Sequence, residues 1–125
     1  MLGIKSRREL TDEWKMRGAK ETDYGILTNQ IYKYGFGMTA KEMKQKLGIG
    51  PKSNVRDSMD EIGVALTNLG EVTAKKLHQS NDSFGTNELK SDTKVAGQIV
   101  GKTRLEIESN INNKRKGEIK KWVKL

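Results

Sequence analysis

An all-α fold, a compact bundle of about five helices, is what this sequence predicts, and three observations point to it. Charged residues make up 32% of the chain and aromatic residues only 6%, a balance that suits solvated helices better than a many-stranded sheet. A single proline is present to interrupt them. Apolar residues also recur at three- and four-residue steps between capping residues and glycines. The 125 residues make one ordinary domain, expected over residues 1–108 with a basic tail over 109–125.

Taken in order, Ser6 and Glu9 have capping-box spacing, Leu10 and Trp14 share a face, and Gly18 ends a first helix. In "TDYGILTNQIYKYGFG", Tyr24, Leu27, Ile31 and Tyr34 form a helical stripe that Ile26 widens and that Gly35 and Gly37 terminate. Thr39 with Glu42 reads as a capping box, Met43 and Leu47 lie four apart, and Gly48 is placed as the residue after the helix end. "GIGPKSN" is a turn in which Ser53 or Asn54 can cap the next segment. From Val55 the positions Met59, Ile62, Leu66, Leu69 and Leu77 keep helical spacing; Asp60 can cap a restart, so one long helix or a short and a long one are both open. "HQSNDSFGTNE" is a polar loop joining this to a last helix over Glu88 to Ile107. There Gly97 and Gly101 offer a small face for close helix contact, within the chain or across a homodimer.

The formal net charge is +8, which draws an anionic partner such as a phosphate backbone. The closing "ESNINNKRKGEIKKWVKL" gathers Lys114, Arg115, Lys116, Lys120 and Lys121 around Trp122. Basic residues interleaved with an aromatic suit single-stranded or nonspecific DNA; a solvated charge run is the alternative. The absence of cysteine removes disulfides and thiolate sites and fits a cytoplasmic setting. No apolar run reaches membrane-span length, and no cofactor motif is present: "GFGMTAKE" lacks the context of a phosphate loop.

The stretch from Gly37 to Gly63 has the outline of a helix-turn-helix. Lys52, Ser53, Asn54 and Arg56 would then sit at the start of a reading helix, aimed at phosphates and bases. The turn is longer than usual for that motif, so two packed helices are the leading reading and DNA contact the alternative. Asp57, Asp60 and Glu61 fall within about one helical turn and would serve a magnesium-dependent nuclease, but such triplets more often pair with basic neighbours on a solvated face. His78, the lone histidine, reads as a helix-end or surface residue. Trp14, Tyr24 and Tyr34 fall on the faces expected to be buried.

The segments "ELTDEWKMRG", "DYGILTNQIYKYGFG" and "MTAKEMKQKLGIGPKSNVRDSMDEIGVALTNLGEVTAKKL" together resemble the C-terminal region of the DNA-damage-inducible protein D family and the related C-terminal segments of BRO-type phage antirepressors. The matching residues are Leu10, Thr11, Trp14 and Lys15, Ile26 to Asn29, Gly37 to Thr39, Leu47 and Gly48, Arg56, Asp57 and Met59, and Leu69 to Glu71; "VAGQIVGKTRLEIE" is similar to the family's late helix. The resemblance implies a non-enzymatic regulator, SOS-linked or phage-borne, that acts on a recombinase filament on single-stranded DNA. It also implies an N-terminal BRO-like domain that these residues do not contain. An inhibitor or adaptor that grips a host protein instead of DNA is the alternative expectation.

Overall fold

The computed structural model describes residues 2–111. Among them are five α-helices: α1 (Leu2–Met16), α2 (Tyr24–Phe36), α3 (Ala40–Leu47), α4 (Glu61–Asn81) and α5 (Thr86–Ile111). Single 3-10 turns at Glu21–Asp23 and Val55–Ser58 precede α2 and α4. None of these helices is long and apolar enough to cross a membrane. The predicted all-α bundle is therefore what forms, although several boundaries move.

Because α1 begins at Leu2, Ser6 lies inside the helix and caps nothing; its hydroxyl donates to Glu71 Oε1 at 2.9 Å on α4. The expected Thr39–Glu42 capping box is present, with both of its hydrogen bonds made. Gly48 ends α3 in a left-handed conformation. Of the two readings left open after Val55, the restart at Asp60 is the one that forms: its carboxylate accepts from Gly63 N at 2.8 Å and begins α4, after a four-residue 3-10 turn. The loop after α4 is shorter than expected. Asp82 takes a positive φ of 48°, and only Asp82 to Gly85 separate α4 from α5.

The core forms two adjoining clusters. Leu10 and Trp14 of α1, Leu27 and Ile31 of α2, Ala74 of α4, and Leu89 and Ala96 of α5 make one. Tyr32, Phe36, Met43, Leu66 and Val100 make the other, with Val55 and Met59 drawn in from the turn before α4. Of the predicted stripe on α2, Leu27 and Ile31 are buried, but Ile26 and Tyr34 are exposed. Tyr32 and Phe36 are buried, while Tyr34 is 36% exposed, with Lys94 over its ring at 5.4 Å.

Gly97 and Gly101 are in a packing contact, and its partner is α2 of the same chain. A Cβ added at Gly97 would stand 2.7 Å from Gln30 O, and one at Gly101 2.5 Å from Tyr34 O. With α2 already seated on it, this face has no room for the homodimer contact that the sequence left open. The missing side chains let two backbones approach so closely that any larger residue would strike a carbonyl that cannot move aside.

Candidate functional site

Two of the places where the bundle buries polar side chains are reached from α4. One is a closed network around His78; the other is an open groove floored by Glu71.

His78 lies in the last turn of α4, at the helix end that was one of the two expectations, but it is fully buried and not on the surface. It falls on the inward stripe of α4 that also carries Thr67, Glu71 and Ala74. Trp14 Nε1 donates to its Nε2 at 3.0 Å, and an indole N–H can only donate. The proton of the neutral ring is thus on Nδ1, where it is given to Asp92 Oδ2 at 2.9 Å. Ser83 Oγ donates to the same oxygen at 2.6 Å and Asn81 Nδ2 to Oδ1 at 2.8 Å. Burial pushes the His78 imidazole below its ordinary value, against the upward pull of Asp92. Burial raises Asp92, but its hydrogen bonds from Ser83, His78 and Asn81 outweigh that and leave it below its usual range. The serine hydroxyl bonds the carboxylate, and the imidazole nitrogen that could activate a nucleophile is taken by Trp14. As arranged, the network locks α1, α4 and α5 together and holds no nucleophile and base pair.

The second place is a groove of 1620 Å³, walled by α1, α2 and α3, the turn before α4 and the first half of α4. Arg7 lies on the α1 stripe that includes Leu10 and Trp14, three and seven residues on. It reaches the floor, donates to Thr28 Oγ1 at 2.6 Å, and lies 5.3 Å from the Trp14 ring centroid. Val55 and Met59, both buried, anchor the 3-10 turn, and Asn54 accepts from Arg56 N at 2.9 Å to start it. Arg56 then directs its guanidinium inward to Glu71 at 2.8 Å. Burial holds Arg7 below its ordinary value, with Glu71 opposing and Arg56 adding to the push. Burial likewise raises the Tyr32 phenol, and Arg56 opposes it. The floor therefore holds two guanidiniums with one carboxylate among them.

The sequence-predicted residues divide. Ser53, Asn54 and Arg56 line this groove, but no reading helix carries them, because the chain after the turn makes only the four-residue 3-10 turn. Arg56 serves the Glu71 ion pair. Lys52 is exposed on the turn, which Lys44 ties to α3 through Pro51 O at 2.9 Å. Asp57 is in the 3-10 turn, Asp60 caps α4 and Glu61 opens it, so the three do not share one helical turn. Among the described residues no three carboxylate or imidazole groups are gathered as a metal ion would require. Lys114, Arg115, Lys116, Lys120 and Lys121 lie outside the described residues. Arg7 and Glu71 were missed by sequence reasoning; the available signal was a charged residue on an otherwise apolar helical stripe.

Comparison with protein-family models, curated proteins and solved structures returns no match.

Proposed function

We propose that the chain is a non-enzymatic regulatory module that associates with DNA, or with a recombinase filament on DNA, in damage response or phage control. One observation supports this reading above the others: the distribution of charge. Residues 112–125 hold six basic residues and one acidic residue, and so carry five of the eight net positive charges; the other 111 residues carry three. A short segment of that density gains affinity by releasing counterions from a phosphate backbone, whatever the sequence of the bases. Trp122, placed among these lysines, offers a ring on which a base can stack. The first 111 residues then position this segment and do not read bases themselves.

Fluorescence anisotropy with single- and double-stranded oligonucleotides over a salt series tests this, using the full chain and a variant truncated after Ile111. If the six basic residues each neutralise a phosphate on a single strand, log affinity falls with log salt at a slope of about −4. Truncation brings the slope to about −1 or flatter. A slope unchanged by truncation refutes the assignment to this segment, and absence of binding at physiological salt shifts the reading to the alternative, an adaptor for a host protein.

A further inference from the structure

The groove does not suit the same partner as the basic segment. Arg7, Arg8, Lys44 and Arg56 line it, but so do Asp57, Asp60, Glu61 and Glu71. A nucleic acid bears a charge at every residue and would set some phosphates against these carboxylates. A single carboxylate placed on the floor would meet Arg7 and Arg56, with Glu71 the one carboxylate between them. There, Arg7 is already held in place by Thr28 and Trp14, so little side-chain freedom is lost on binding. Among the described residues Arg7 gives one N–H to Thr28, and a guanidinium has five to give, in a fork that matches a carboxylate. Beside this polar centre the lining includes the partly exposed apolar side chains Ile62 and Val64. The volume of 1620 Å³, open along its length, exceeds what a small-molecule pocket needs.

We infer that the groove docks a segment of a partner protein, presenting a glutamate or aspartate side chain to Arg7 and Arg56 with apolar residues on either side of it. The residues that carry this proposal lie between positions 7 and 71 of the sequence and the basic segment lies at 112–125, so the two proposals can be tested by separate variants. The occupant is fixed by complementarity: the acid answers a floor on which two guanidiniums share the one carboxylate of Glu71, and its apolar neighbours answer Ile62 and Val64.

The test is panning of the full chain against a phage-displayed library of random twelve-residue peptides, then anisotropy of the enriched peptides. The peptides are expected to share an Asp or Glu beside apolar residues. Arg7→Gln, and Gln in place of the peptide's acid, should each weaken binding about tenfold or more, with Arg7→Lys in between. Circular dichroism of the Arg7 variants establishes that they fold; should Arg7→Gln fail to, the loss on replacing the peptide's acid by Gln, made with the unaltered chain, carries the test, and no loss there overturns the proposal. Oligo(dT) of twenty nucleotides should leave the peptide bound, and truncation after Ile111 should leave peptide affinity unchanged even where DNA binding is lost. Peptides without an enriched acid, affinity indifferent to Arg7→Gln in a folded variant, or displacement by oligo(dT) would each overturn the proposal; displacement would assign the groove to nucleic acid.

Discussion

Glu71 and His78 stand seven residues apart on one face of α4, about two turns, yet their surroundings differ. Around His78, the side chains of Trp14, Asp92, Ser83 and Asn81 close on one another beneath the loop after α4. Around Glu71, Ser6 and Arg56 are in contact with its carboxylate, Arg7 is held close by, and the network then opens on a groove. A buried polar group whose partners are all supplied by the chain stiffens the fold. A buried group with surplus charge at a solvent boundary is available to a ligand. The contrast gives the first region a part in stability and makes the second the ground of the docking proposal.

The largest effect should come from Asp92→Ala. It strips partners from the buried His78 ring and Ser83 and from the exposed Asn81 at once, and is expected to cost about 3–5 kcal/mol in urea denaturation. Glu71→Ala removes as central a carboxylate, but water and ions reach the guanidiniums it leaves, so about 1–3 kcal/mol is expected. Added phosphate should recover part of the Glu71→Ala loss and none of the Asp92→Ala loss beyond its general effect on the parent chain. Equal costs for the two variants would break the comparison.

Gly101→Ala tests the packing that holds both regions in register. Alanine gains about 1 kcal/mol of helix propensity but meets the Tyr34 carbonyl, and a net loss of roughly 1–2 kcal/mol is expected by thermal denaturation.

Acid sharpens the contrast further. His78 is held neutral in the fold, with its value lowered by burial. The unfolded chain therefore takes up a proton first, near pH 6.5. The stability that this neutral ring supplies is complete above that pH and is lost as pH falls toward the folded value, by at most about 1.4 kcal/mol per pH unit. Asp92, also lowered, adds a loss of the same sign below the ordinary carboxylate range. His78→Gln should flatten the stability profile just below pH 6.5, as followed by denaturation at a series of pH values. The smallest effect is expected for Lys52→Ala, an exposed position: within about 0.5 kcal/mol in stability, and, if Lys52 meets a phosphate, a change in the salt slope of about 0.7.

Elements were legible in the sequence in proportion to the strength of their local signals. The Thr39 box, the Gly48 end and the Asp60 restart are each written in a few adjacent residues, and each formed. The buried side of α2 was legible at Leu27 and Ile31 but not beyond them, because Tyr32, Tyr34 and Phe36 are all aromatic and only the tertiary partners decide which turn inward. The groove was half legible. Ser53, Asn54 and Arg56 were singled out for DNA, but the helix expected to carry them collapsed to a single 3-10 turn, since Val55 and Met59 are pulled into the core. His78 was misplaced because its partners, Trp14 and Asp92, are distant in sequence and no spacing rule joins them.

The most direct measurement is a heteronuclear NMR titration of the labelled full chain, following backbone amides and arginine Nε–H signals, first with oligo(dT) and then with an enriched acidic peptide. The account predicts that oligo(dT) moves signals of residues 112–125 and leaves Arg7 and Arg56 in place, whereas the peptide does the reverse. Oligo(dT) shifting Arg7 and Arg56 before the basic segment would contradict it.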